Sequence, residues 1–202
     1  KKSSKVVTIY GCGNQGLISL NAIAVNRDLK LAYLHDTNWS QAEKLSRHLA
    51  SLHKNIEVVC VDDVKSAIKE SDIIVTCTPS RTPIIELEDV EPGTFIAAVG
   101  CDSEDKCEIH PRLISACKVV SDFTEQSAAF GDLHHAIEQG FVTKSHVYAE
   151  LGQIITGEKS GRENDEEVIV FDSTGTALQD VAAASIVYER ALAKGLGNRY
   201  NF

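Results

Sequence analysis

Short, uninterrupted apolar runs alternate with helix-like stretches along most of this chain, and that alternation restricts the fold more than any other feature. The runs are "KVVTIYG", "LKLAYLHD", "IEVVCV", "DIIVTCTP", "GTFIAAVGCD" and "CKVVSDF", with a last one, "VIVFDSTG", after a polar stretch. Strands that are apolar throughout, not in alternation, must be buried on both faces, which is the condition of a parallel sheet between helices. Helical patterns fill the gaps: Asn14 to about Val25, "NWSQAEKLSRHLASLH", and "DDVKSAIKES" with Asp62 or Asp63 as its cap. "TPIIELEDVEPG" reads as a loop, "EQSAAFGDLHHAIEQG" as one helix, "AELGQIITG" as a short helix within a loop, and "EKSGRENDEE" as a solvated connection. Residues 165–197 or so supply the C-terminal strand and a long Ala-rich helix closed by Gly195 or Gly197. The predicted class is α/β: a doubly wound, mostly parallel sheet with helices on both faces.

Composition narrows the function. At 202 residues, 43% hydrophobic and 24% charged, the chain suits one globular domain with a substantial core. The net charge is −9 and the basic residues are scattered, which argues against a nucleic-acid groove. No apolar run approaches the length of a membrane span, about 18 residues, and no signal-peptide core precedes the first strand. The six cysteines (Cys12, Cys60, Cys77, Cys101, Cys107, Cys117) contain no C-x-x-C pair and read as reduced thiols of a cytoplasmic protein. The seven histidines show no ligand spacing beside them, so no metal is expected.

"VVTIYGCGNQGLISL" carries the first functional signal: Gly11, Gly13 and Gly16 spell G-x-G-x-x-G between a strand and a helix. In that context the first glycine permits a tight turn, the second lets backbone approach a pyrophosphate, and the third allows close helix–strand packing. The helix start then offers free N–H groups to phosphates. Asp36 stands twenty residues after Gly16, at the end of the second strand. A carboxylate there accepts hydrogen bonds from ribose hydroxyls and repels a 2′-phosphate, which predicts NAD over NADP. The competing reading is a packing turn, with Asp36 a helix cap before "NWSQAEK". Strand, spacing and acid together make this a dinucleotide loop. His35, beside Asp36, reads as a half-exposed strand-end residue near the adenosine.

In an open α/β sheet the ligand lies beyond the carboxyl ends of the strands. Thr76, Cys77 and Thr78 are thus placed to line the nicotinamide riboside. Asp102 ends an apolar strand after Gly100 and Cys101, with Lys106 four residues on. From the pattern alone it is either a proton carrier or a cap in the charged loop "DSEDK", and the cap is the simpler reading. Asp172, Ser173 and Thr174 in "DSTG" pose the same choice between an N-cap for the next helix and a ligand contact.

In order, "GCGNQG", "HDTN", "TCTPSRTPII", "AAVGCDSEDKCEIHP", "VVSDFTEQSAAFGDLHHAI" and "VFDSTGTALQDVAAASIVYERA" resemble the ornithine cyclodeaminase/μ-crystallin family, from about Val6 to Gly197. The resemblance implies a Rossmann-type NAD-binding domain acting on amino acids and imines. It assigns Asn14 and Gln15 to the pyrophosphate, Asp36 to the ribose and Thr76 to the cofactor; Thr37, Cys77 and Thr78 join the expected cofactor-binding residues. It sets Val99, Gly100, Cys101 and Asp102 along the nicotinamide, adds Lys106 and Ser173 as cofactor contacts, and gives Thr174 to the substrate. It makes Asp102 the proton donor and acceptor. The family's usual Pro-Gly in this loop is replaced by Glu104-Asp105. The family also places a substrate-binding and dimer-forming domain before the Rossmann half. That domain is absent from this sequence, so the chain is expected to be either a fragment of a homodimeric enzyme, the favoured reading, or a natural remnant with altered function. Two functions follow: an NAD-dependent oxidoreductase or cyclodeaminase, or a μ-crystallin-like protein that binds nucleotide and a small ligand without turnover.

Overall fold

The first strand, β1 (Val6–Tyr10), lies in the middle of the sheet, as a five-residue run with its three central residues buried must. The computed structural model describes residues 1–198 and Tyr200. After β1 come α1 (Asn14–Asn26), β2 (Leu31–His35), α2 (Trp39–Leu52), β3 (Glu57–Cys60), α3 (Val64–Glu70), β4 (Ile73–Thr76) and β5 (Phe95–Ala98). The second half runs α4 (Pro111–Ala116), β6 (Lys118–Ser121), α5 (Thr124–Phe130), α6 (Asp132–Glu138), β7 (Val147–Glu150), α7 (Leu151–Ile155), β8 (Ile169–Asp172) and α8 (Ala177–Ala193). Among the described residues eight strands pair in the order β3-β2-β1-β4-β5-β8-β6-β7, and every pairing is parallel. This is the predicted α/β, Rossmann-type sheet. The chain winds outward from β1 to β3, then returns to β4 on the other side of β1, so a crevice opens at the carboxyl ends of β1 and β4.

The pleat divides the core. On β4, Ile73 and Val75 pack with Val7, Ile9, Leu20, Leu34, Leu45 and Leu49. Ile74, between them, packs on the opposite face with Ile96, Ile109, Leu113, Leu133 and Val170. Alternate side chains of one strand feeding two cores is what an apolar run without alternation encodes. On α2 the buried residues Ala42, Leu45 and Leu49 share one face at helical spacing.

Four features depart from the sequence reading. The helix expected after Phe123 is two, α5 and α6, broken at Gly131. A Cβ on Gly131 would sit 2.5 Å from Asp172 Oδ2, so that carboxylate occupies the break and restarts the helix. The edge strand β7 lies where the sequence suggests a loop, because four residues running straight into α7 leave no periodicity to see. Pro111–Ala116 forms α4 where no helix was anticipated, with Pro111 at its start. Finally, α8 covers no face of the sheet: none of its residues is buried, and Leu178, Val181 and Val187 are 78%, 65% and 66% exposed. The predicted caps hold: Asp63, of the two candidates, accepts from Ser66 N at the start of α3, and Gly195 takes a φ of +64° beyond α8. Among the described residues no helix is long and apolar enough to cross a membrane.

Candidate functional site

Local backbone chemistry shapes the glycine loop. Gly11 has φ +107°, a conformation open to glycine, and a Cβ there would lie 2.6 Å from the Cys77 carbonyl. Gly16 is buried on the first turn of α1, where a Cβ would meet Gly11 O at 2.3 Å and Ile9 Cγ2 at 2.9 Å. Gly13 is different: it is exposed, caps α1, and nothing lies within 4 Å of a Cβ built on it. Two glycines thus let protein pack on protein, and the middle one leaves backbone open to an incoming group. The first turn of α1 carries no acidic residue, so its N–H groups face solvent without a competing anion. Gly16→Ala is expected to push the loop off Ile9 and destabilise the fold by about 1–3 kcal/mol, the usual cost of overpacking. Urea denaturation measures it.

Asp36 closes this loop from β2. Its Oδ2 accepts from Cys12 N at 2.8 Å and its Oδ1 from Asn38 N at 2.8 Å. Each oxygen keeps a further acceptor position, so the carboxylate is aimed and still able to bind hydroxyls. A cleft of about 390 Å³ runs beside it, lined by Tyr10, Gly11, Gly13, Asp36, Thr37, Cys77, Thr78, Pro79, Ser80 and Ile84. It spans the crevice between β1 and β4. Pro79 and Ser80 fall in "TCTPS", the strand-end stretch the sequence points to; Tyr10 and Ile84 carry no mark there, since nothing local shows which residues turn inward. His35 holds the wall: its Nδ1 bonds Val61 O at 2.9 Å and its ring meets Tyr10 edge-on. Burial pushes the Cys12 and Cys77 thiols up to about 12, so neither is a nucleophile at neutral pH.

Thr76 does not line the cleft. It is fully buried, and its hydroxyl donates to Glu108 Oε2 at 2.7 Å. Cys101 also turns inward, donating its thiol to Lys106 O at 2.7 Å. Val99 is half-buried and Gly100 is buried at the tip of β5. Asp102 stands outside, its side chain 59% exposed, in an ion pair of 2.5 Å with Lys106 Nζ. It borders a shallow depression with Ser103, Glu104, Asp105 and Phe130, separate from the Asp36 cleft. Glu104-Asp105 has its own anchoring: Asp105 pairs with Arg81 at 2.9 Å and accepts from Ser103 Oγ at 2.8 Å.

The "DSTG" turn is held from β6. Asp122 accepts from Ser173 Oγ at 3.2 Å, Thr174 Oγ1 at 3.1 Å and Gly175 N at 2.7 Å. Asp172 is not the cap of the helix that follows it. Thr176 is the N-cap of α8, and Asp172 instead accepts from Asp132 N and Leu133 N, the first amides of α6. Beneath the strand tips Glu108, Asp132 and Asp172 are all fully buried, and burial pushes each carboxyl group above its usual value. Glu108 and Asp132 are residues that almost nothing in the sequence marks. Their only signal was an acid inside the apolar stretch "CEIH" and another directly after Gly131. One cluster of potential metal ligands comes together among the described residues: His134, His135 and Glu138 on α6. The two rings already donate to Ala128 O and Lys106 O.

The profile of the ornithine cyclodeaminase/mu-crystallin family matches residues 1–195. The chain belongs to this family. Among curated relatives, the alanine dehydrogenase of Archaeoglobus fulgidus is 36% identical over 202 residues, covering 100% of this chain and 62% of that protein. A solved archaeal alanine dehydrogenase dimer with bound NAD superposes with a TM-score of 0.94 at 36% identity, over 100% of this chain and 62% of that one. The Δ1-pyrroline-2-carboxylate reductase of Thermococcus litoralis, solved with NADH and L-proline, gives 0.95 at 31% identity, over 99% of this chain and 62% of that one. The chain therefore spans less than two thirds of the length of these family members.

Proposed function

We propose that this chain is the NAD-binding half of an oxidoreductase or cyclodeaminase that acts on an amino acid or its imine. The observation that carries the proposal is Asp36, pinned through both oxygens beside an open glycine loop at the switch between β1 and β4. The residues fit NAD: Gly13 leaves its backbone free, α1 offers unopposed N–H groups, and Asp36 keeps acceptor positions for ribose hydroxyls. Gly13, Asn14 and Gln15 hold the pyrophosphate, Asp36 and Thr37 the ribose, and Cys77 and Thr78 the riboside beyond. Thr76 acts from behind, through Glu108. Val99, Gly100, Lys106 and Ser173 complete the nicotinamide side, with Cys101 packed behind them, and Thr174 is assigned to the substrate. When bound, NAD accepts or donates the hydride.

Asp102 takes or returns the substrate's proton. Its exposure gives a substrate direct access, and the Lys106 ammonium beside it holds the carboxylate in place between turnovers. Relatives cover more sequence than this chain, and we assign the substrate's carboxylate clamp to a further domain of the full-length protein. The apolar side chains of α8, unburied here, support a homodimeric full-length assembly. Six unpaired cysteines support a reducing, cytoplasmic setting. Product analysis with ornithine, alanine and pyrroline-2-carboxylate, in a chain extended to the length of its relatives, tests the activity. Tight ligand binding with no turnover on any of them overturns it in favour of a μ-crystallin-like binder.

Asp36 also fixes the cofactor preference. Repulsion between its carboxylate and a 2′-phosphate in a half-buried cleft is expected to favour NADH over NADPH by about tenfold or more. Asp36→Ser removes the charge and relaxes the preference. Calorimetric titration with both dinucleotides reads it, and equal affinities in the unmodified protein rule out this role for Asp36.

A further inference from the structure

Three buried acids form a ladder beneath the tips of β4, β5 and β8, and each is held by amides beside the next. Asp172 accepts from Asp132 N at 3.2 Å and Leu133 N at 3.1 Å. Asp132 Oδ1 accepts from Glu108 N at 2.7 Å and Ile109 N at 2.9 Å. Glu108 ends the ladder with four donors: Thr76 Oγ1 at 2.7 Å, Thr78 N at 2.6 Å, Thr78 Oγ1 at 2.8 Å and Gly100 N at 2.9 Å. No basic side chain is among these partners.

The placement of the Glu108 bonds matters more than their number. The ladder between β4 and β5 ends with Val99 N donating to Thr76 O at 2.9 Å. Thr78 N and Gly100 N lie just past that point, where the strands part and backbone donors lose their strand partners. Glu108 collects both, so one carboxyl group bridges the two tips. The fit is tight: a Cβ on Gly100 would lie 2.5 Å from Glu108 Oε1 and 2.5 Å from Thr78 O. Burying an acid without a counter-charge costs free energy, and an apolar residue would fill the same space without that cost. A group that only accepts hydrogen bonds is what four converging donors require. Glutamine would turn an NH2 toward one of them.

Resting on the NAD-binding reading above, we propose that Glu108 is a positioning residue for the nicotinamide end of the cleft: it sets the spacing between the Thr78 and Gly100 tips. Through Asp132 and Asp172 the ladder ties that spacing to the Ser173–Thr174 turn. The adenosine end is set separately, by Asp36 and the glycine loop. Glu108 therefore acts on one half of the dinucleotide only.

The test compares NADH with ADP-ribose, which lacks the nicotinamide, on the 202-residue protein and on Glu108→Gln. The variant is expected to lose about tenfold in NADH affinity, the scale of a broken hydrogen bond to a charged group, while ADP-ribose binds within about twofold of the unmodified protein. Amide hydrogen exchange at Thr78 and Gly100 is expected to quicken in the same variant. Equal losses for both ligands, or no loss for either, overturn the proposal. If Glu108→Gln fails to fold, Thr76→Val removes one donor and is expected to show the same selective loss at about two- to fivefold; an unselective loss there also overturns it. An unmodified protein that binds neither ligand overturns the NAD reading itself. One that binds ADP-ribose as tightly as NADH overturns only the role of Glu108.

Discussion

Asp102→Asn is expected to lower turnover by about 10²–10⁴-fold in a chain extended to the length of its relatives, the range for losing a general acid or base. Asparagine keeps the shape and still accepts a hydrogen bond from Lys106, which sits 2.5 Å from the native carboxylate. It cannot take up or release a proton near neutral pH. NADH affinity is expected to stay within a few-fold, because the cleft beside Asp36 and the depression beside Asp102 share no lining residue. The 202-residue chain alone is expected to bind NADH with almost no turnover. Steady-state kinetics beside direct binding measurements separate these outcomes. Near-normal turnover in the variant returns Asp102 to the role of a surface cap.

Stability is expected to fall as pH rises from about 4 to 7. Asp172 is pushed up to about 7 by burial and by neighbouring carboxylates, and Asp132 is raised well above its usual value by burial and by Asp172. Acids raised in the folded state hold protons that the unfolded chain releases near pH 4. Their contribution is complete below that value and is lost as pH passes through the raised values, at up to about 1.4 kcal/mol per pH unit for each proton. Asp63 and Asp72 work in the opposite sense. Hydrogen bonds from Ser66 lower Asp63; for Asp72, burial raises the value but the Lys5 and Val6 amides outweigh it. Their contributions are present above pH 4 and lost only in stronger acid, so the maximum is expected near pH 4. Asp132→Asn keeps an acceptor for Glu108 N and Ile109 N, removes one titrating group, and should flatten the decline. Urea denaturation at pH 5 and pH 8 decides it; a flat profile in the unmodified protein refutes the account.

Much of this protein was legible one segment at a time. Continuous apolar strands announce a sheet covered on both faces, and G-x-G-x-x-G with an acid twenty residues on announces the loop beside β1. These signals are local: backbone conformation, capping and burial periodicity depend on residues a few positions apart. Asp36 reaches across 24 residues to Cys12 N, yet it could be anticipated because the helix and strand between them, α1 and β2, have a standard combined length.

Contacts without such a ruler were decided by the tertiary structure alone. Glu108 finds Thr76 across 32 residues, Asp132 finds Glu108 across 24, and Asp172 finds Leu133 across 39. No pattern around "CEIH" or "FGDL" says that these acids meet, because their meeting depends on β8 inserting between β5 and β6. The same insertion brings Asp172 to Gly131, breaks the expected helix there, and leaves Asp172 capping α6 instead of the helix it precedes. Sequence by itself determined seven of the eight described strands and the glycine loop with its acid, since each is written within a short stretch of chain. The strand order decided which buried carboxyl groups stand under the site, because a hydrogen bond between distant residues exists only once the sheet has brought them together.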